Sequence, residues 1–186
     1  MRVLLYIALG LLWGPLPATA TTVKAFVFDN LCETAKTIVH VRCLTKESLI
    51  LSDRDGIFTT YRFAVVEVVK GQVEDELVLV LPGGKVDGRH MEIAGMPQFT
   101  LGEETVLFLS EKDAYGSPWP VGLGQGCYGI QVSDKGERQV VFGQHNPINR
   151  AARSKLAVQS KVSLKAFVDT IESVLKTEAQ SGDQVQ

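Results

Sequence analysis

Between residues 23 and 142 the chain repeats one pattern: a short alternating or branched-apolar run, then a turn signal built from Gly, Pro, Asn, Asp or Ser. A period of two, broken at such short intervals, restricts the fold to an all-β sandwich or barrel, and at least seven strands can be marked. The spacing predicts a first strand over Val23 to Phe28. Asp29-Asn30 then reads as a helix cap, with Glu33 three residues after Asn30 as in a capping box, and the short helix that follows turns Leu31, Cys32 and Ala35 inward. Thr37 to Leu44 alternates strictly, Val39, Val41 and Cys43 on one side and Ile38, His40 and Arg42 on the other. Lys46-Glu47-Ser48 reads as a turn from which Leu49 to Leu51 pairs back, and Ser52 to Gly56 as a loop.

Further strands are predicted over Ile57 to Val69, Leu77 to Leu81, Met91 to Ile93, Thr105 to Leu109, Cys127 to Val132 and Arg138 to Phe142. Leu77 to Leu81 and Thr105 to Leu109 are apolar at every or nearly every position, so both read as strands covered on both faces. Pro82-Gly83-Gly84 stops the first of them, and Ser110 to Pro120 reads as a loop. The period changes near the C-terminus. After Ser163, a predicted cap, Leu164, Phe167, Val168, Ile171, Val174 and Leu175 fall on one helical stripe, which predicts an amphipathic helix packed on the sheet. Residues 178 to 186 are polar and aperiodic and read as a flexible tail.

The N-terminus carries an address. Met1-Arg2, the uncharged apolar run from Val3 to Trp13, and Ala18-Thr19-Ala20 have the three parts of a cleaved secretory signal over residues 1–20, with the mature chain expected to start at Thr21. The apolar run is shorter than the roughly 20 residues that span a bilayer. The expectation is therefore an exported protein, periplasmic or extracellular, with no membrane insertion after cleavage and one domain over residues 21–177. A formal net charge of -2, with basic and acidic residues interspersed, offers no basic stripe for nucleic acid.

Three cysteines allow at most one internal bridge. With Cys32 on a helix and Cys43 on the next strand, their distances from the corner are about 4 residues at 1.5 Å and about 6 residues at 3.3 Å. That separation exceeds the roughly 7 Å Cα limit of a disulfide, so Cys127 is expected in the bridge, with Cys32 to Cys127 favoured. Cys43 is left as a core thiol.

No constellation of catalytic or cofactor-binding residues stands out. His40, His90 and His145 are far apart and lack the close pairing of zinc ligands, so no metal site is expected, and His40, alternating with Ile38 and Arg42 on a strand, reads as a half-exposed sheet histidine. Cys127, approached by Gly124-Gln125-Gly126 and with His145 downstream, is the candidate nucleophile of an alternative reading as a thiol-dependent enzyme. It lacks the strand-to-helix elbow that presents a nucleophile. The glycines at 83, 84, 122, 124 and 126 open no phosphate-binding helix and are expected at bulges and close strand approaches.

Thr60 to Gly71, Leu81-Pro82-Gly83-Gly84 and Gly95 to Leu109 together resemble a group of bacterial exported proteins of unassigned activity. These look like the netrin-type module, the OB-like β-barrel also found in tissue inhibitors of metalloproteinases, and the resemblance runs roughly from residue 31 to 132 and includes the C-terminal helix. It implies a single OB-like barrel with a short N-terminal helix and a C-terminal amphipathic helix, acting without a cofactor as a non-catalytic protein-binding module. A metalloprotease inhibitor or regulator is the alternative it implies. The inhibitors' Cys-x-Cys at the mature terminus is missing, because Thr21-Thr22-Val23 stands there. Contacts with a partner are expected from the loops Pro82 to Gly88, Ala94 to Gln98 and Ala114 to Pro120, with Met96, Pro97 and Trp119 as their apolar residues.

Overall fold

A computed structural model describes residues 25–142 and 161–182. The signal segment, the expected Thr21 terminus and His145 lie outside the described residues. The chain is mainly β, with a short helix before the sheet and a long helix after it. The main sheet is antiparallel, in the order β10-β9-β8-β6-β1-β2-β3: β10 is Lys161–Ser163, β9 Arg138–Val141, β8 Cys127–Val132, β6 Glu104–Lys112, β1 Thr37–Ile50, β2 Ile57–Lys70 and β3 Glu76–Pro82. β7 (Pro118–Pro120) pairs with β6, and β4 (Gly84–Val86) with β5 (Arg89–Met91) forms a separate two-stranded flap lying against β1 and β2. The expected closed barrel is not formed. The described sheet ends at β3 on one side and β10 on the other, with no ladder joining them.

Strands β1, β6 and β8 lie in the middle of the sheet, and residues 38–41, 105–109 and 127–130 of them are buried on both faces. Ile38, Val106, Phe108, Tyr128 and Val140 point to one face, where α1 (Phe28–Thr34) and α2 (Leu164–Gly182) cover them. Val39, Val41, Cys43, Leu107, Leu109 and Cys127 point to the other, where the sheet curls so that Tyr61, Phe63, Leu79, Leu81 and Phe99 complete a second core. The helix stripe falls on the first core as its spacing predicts, except for Val168, which is half-buried outside it. Phe167 and Ile171 are fully buried, and the Phe167 ring meets Phe28 at 5.4 Å and Tyr128 at 5.0 Å between centroids. Burial of this kind contributes about 1.5 to 3 kcal/mol per large apolar side chain. Ser163 Oγ accepts the Ala166 N–H at 3.2 Å, the expected cap. The helix itself runs on to Gly182, into the stretch expected as a tail.

Several local expectations need correction. Phe28 opens α1 instead of ending a strand, and the cap residue is Val27, with no side-chain cap bond. Asn30 donates to the Glu33 carboxylate at 3.1 Å and to no backbone group of the cap, so the capping box is absent. Leu31, Cys32 and Ala35 do turn inward. Lys70 Nζ donates to the Cys32 and Glu33 carbonyls at 2.8 and 3.2 Å, closing the C-terminal end of α1. Lys46-Glu47-Ser48 is not a turn: β1 continues through it to Ile50, paired throughout with β2. β3 is covered on one face only, since Leu77, Leu79 and Leu81 are buried while Val78 faces outward on an edge strand.

Candidate functional site

A β-bulge sets the position of the cleft. Cys43 pairs with Phe63 and Thr45 with Arg62, so Leu44 is an extra residue in β1. The extra residue reverses the alternation. Before it, Val39, Val41 and Cys43 face the second core; after it, Lys46 and Ser48 take that face, opposite Tyr61 and Thr59. The apolar core therefore ends at a polar rim. Above this rim the chain leaves β3 through Pro82-Gly83-Gly84, turns through the β4–β5 flap and returns along residues 93–98. The space between is a cleft of about 390 Å³.

The floor is held by hydroxyls. Thr59 Oγ1 donates to the Gly83 carbonyl at 2.7 Å, which leaves Ser48 Oγ to donate to Thr59 at 2.8 Å. This chain is satisfied within the fold. It also explains Gly84: at φ 137° a side chain is strained, and a Cβ there would stand 2.5 Å from both Ser48 Oγ and Thr59 Oγ1. One wall is apolar, from Leu81, Pro82, Ile93, Met96 and Pro97, with Pro97 buried and Met96 packed on the second core. The rim carries Lys46, Lys85, His90 and Gln98, all exposed. No Asp or Glu lines the cleft, although Glu47, Asp87 and Glu92 adjoin lining residues along the chain. Among the described residues, Lys46, Lys85 and His90 make no ion pair.

Of the three apolar loop residues named from the sequence, the fold brings Met96 and Pro97 to this cleft and places Trp119 elsewhere. Trp119 packs on the second core, and its indole N–H donates to Asp113 at 3.0 Å. Asp113 also accepts the Tyr115 and Ser117 backbone N–H groups, so Trp119 anchors its own loop. Arg54 stacks on the Tyr115 ring at 3.7 Å and ties that loop to the β1–β2 turn.

A second polar cluster lies at the end of the helix-covered face. His40 was expected half-exposed and is buried, 2% accessible, because Glu104, Arg42 and Arg138 roof it. Glu104 accepts from His40 Nε2 at 3.0 Å, from Arg42 Nε at 3.2 Å and from Arg138 Nε at 3.1 Å. A carboxylate only accepts, so His40 carries its proton on Nε2. Burial holds the His40 pKa below its ordinary value, against the raising effect of Glu104. Burial alone would raise Glu104; the hydrogen bonds from Arg42, His40 and Arg138 outweigh it and hold the carboxyl below its ordinary value.

All three cysteines are free and buried, so the expected bridge from Cys32 to Cys127 is not formed. The reason lies in the sheet: Cys32 belongs to the core under the helices and Cys127 to the core on the other face. Desolvation pushes the Cys32 thiol up to about 12 and raises Cys43 and Cys127 as well. Cys127 Sγ is 3.9 Å from the Leu123 carbonyl, an acceptor that cannot take up its proton to leave a nucleophilic thiolate. The approach glycines serve packing: a Cβ at Gly126 would stand 2.7 Å from the Val121 carbonyl oxygen. Among the described residues no group of three or more His, Cys, Asp or Glu could hold a metal ion, and no helix is long and apolar enough to cross a membrane.

Comparison with family models, with curated proteins and with solved structures returns no match to this chain. Two of the cleft's rim loops, Pro82 to Gly88 and Ala94 to Gln98, are legible in the sequence, whereas Lys46, Ser48 and Thr59 are not. The signal was present in the facing pair Ser48 and Thr59, two small hydroxyl residues across a hairpin, and was masked by reading 46–48 as a turn.

Proposed function

We propose that this protein is an exported, non-catalytic protein-binding module of the netrin-like OB type, and that its partner docks at the cleft under the β4–β5 flap. The observation that carries the reading is the cleft itself. A concave surface with an apolar wall, a hydroxyl-anchored floor and a few converging polar side chains is the usual form of a recognition site. Most of its rim comes from the β4–β5 flap and residues 93–98, the segment that connects β3 to β6 over the sheet, and such connections are where binding residues tend to collect. The continuous antiparallel sheet curled around a core, with one helix before it and one after it, supports the OB-type assignment.

Site-specific photo-crosslinking in the producing cells tests this. A photoreactive residue in place of Lys85 or Gln98 is expected to give one discrete adduct with another protein, and the same residue in place of Val132, exposed at the end of β8, is expected to give none. Adducts from position 132 alone, or none from positions 85 and 98, would overturn the reading.

A further inference from the structure

The chain has more acidic than basic residues, yet the cleft lining has Lys46, Lys85 and His90 and no carboxylate. Elsewhere on the sheet several cations face a carboxylate: Arg42 and Arg138 meet Glu104, and Arg62 meets Glu76. Lys46 and Lys85 make no ion pair among the described residues, and the lining they share with His90 places no carboxylate beside them. They come from β1 and β4, two elements packed against each other above the floor at Ser48, Thr59 and Gly83, so the flap's seat fixes where the second charge stands relative to the first.

Building on the binding-module reading, we infer that the cleft recognises an acidic, partly apolar segment of a protein partner. Its Asp or Glu carboxylates would be taken by Lys46, Lys85 and His90, and its apolar side chains by Leu81, Ile93, Met96 and Pro97. The Ser48 and Thr59 hydroxyl hydrogens are used inside the fold, so the cations and the Gln98 carboxamide are left to meet the acid. A bare anion would use only half of this surface. The apolar wall at the same cleft is what distinguishes a peptide from a small ion.

Fluorescence anisotropy with two labelled decapeptides tests the inference on the exported protein: one alternates Glu and Leu, the other has Gln at every Glu position. The Glu peptide is expected to bind, to weaken as salt rises, and to bind at least about tenfold more tightly than the Gln peptide. Lys46→Gln and Lys85→Gln are each expected to weaken it about two- to fivefold, as for partly exposed ion pairs, and Met96→Ala to weaken it further. Lys135→Gln, on the β8–β9 turn outside the cleft, is expected to leave it unchanged. Equal binding of the two peptides, no binding of the Glu peptide, or indifference to Lys46 and Lys85 would each overturn the inference. Displacement by inorganic phosphate at the concentration of the peptide's own dissociation constant would overturn it in favour of a small-anion site. Crosslinks from positions 85 and 98 would stand in any of these cases, so failure of the acidic preference is distinguishable from failure of the binding role.

Discussion

The two faces of the sheet end differently. Under the helices, the apolar core built on Phe28, Phe108, Tyr128 and Phe167 runs out at Glu104, where one carboxylate is met by one histidine and two arginines. On the opposite face, the core built on Tyr61, Phe63 and Phe99 runs out at Lys46, Lys85 and His90, where nothing acidic lines the space. The first arrangement is closed and serves stability. The second is open, and its charges have no acidic neighbour in the cleft lining, which is the basis of the binding role proposed for it. Polar residues at the end of a core are thus informative through their partners, not through their number.

The difference can be broken first at its strongest point. Phe167→Ala removes the ring at the centre of the helix-side cluster and is expected to cost about 3 to 5 kcal/mol, measured by equilibrium denaturation. Ile171→Ala is expected to cost about 2 to 5 kcal/mol. An unchanged midpoint in both would mean that α2 is not part of the core.

The Glu104 cluster is the next target. Glu104→Gln leaves buried His40 without its anionic acceptor, while Arg42 and Arg138, each about half exposed, lose little, so a cost of about 1 to 3 kcal/mol is expected. Acid should act in the same direction. His40 has a folded pKa below its unfolded value, so the unfolded chain binds the proton more readily, and stability is lost as pH falls below about 6.5. Glu104, also depressed, adds a second loss as pH falls below the ordinary carboxylate range and through its folded pKa. Denaturation series from pH 7.5 to 3 should show both losses in the wild type, with the lower one reduced in Glu104→Gln to the part that Asp113, also held below its ordinary value by its hydrogen bonds, contributes. A flat wild-type profile would contradict the burial of His40.

Thiol chemistry sharpens the separation of the two cores at little cost in stability. The folded protein is expected to resist alkylation, because all three thiols are buried, and the unfolded, unreduced chain to yield three equivalents. A mapped bridge between Cys32 and Cys127 would show that the two faces are not separated as described.

What the sequence made legible follows from period. The stripe from Leu164 to Leu175 placed Phe167 and Ile171 in the core with Leu164, Val174 and Leu175 against it, and the apolar run placed Val106 to Leu109 there, because uninterrupted spacing identifies a buried face directly. The alternation of Thr37 to Leu44 identified two faces but could not tell what covered each, so His40 was misplaced until Glu104 and Arg138 arrived from residues 64 and 98 positions away. Lys46 and Ser48 were hidden by the Leu44 bulge, which breaks the period that sequence reading depends on. The flap segment was legible as loop from Pro82-Gly83-Gly84. Its seat on Ser48 and Thr59 was not, because that contact depends on cross-strand register.

The central claim, that one polar cluster holds the fold while the other faces a ligand, is tested most directly by two variants in two assays. Thermal melts and anisotropy titrations with the Glu-Leu decapeptide would be run on Glu104→Gln and on the double variant Lys46→Gln/Lys85→Gln. The account predicts a crossed result: Glu104→Gln melts several degrees lower and binds as the wild type does, whereas the double variant stays within about 0.5 kcal/mol of wild-type stability and loses about tenfold or more in affinity. A double variant that melts as low as Glu104→Gln while keeping its affinity would contradict it.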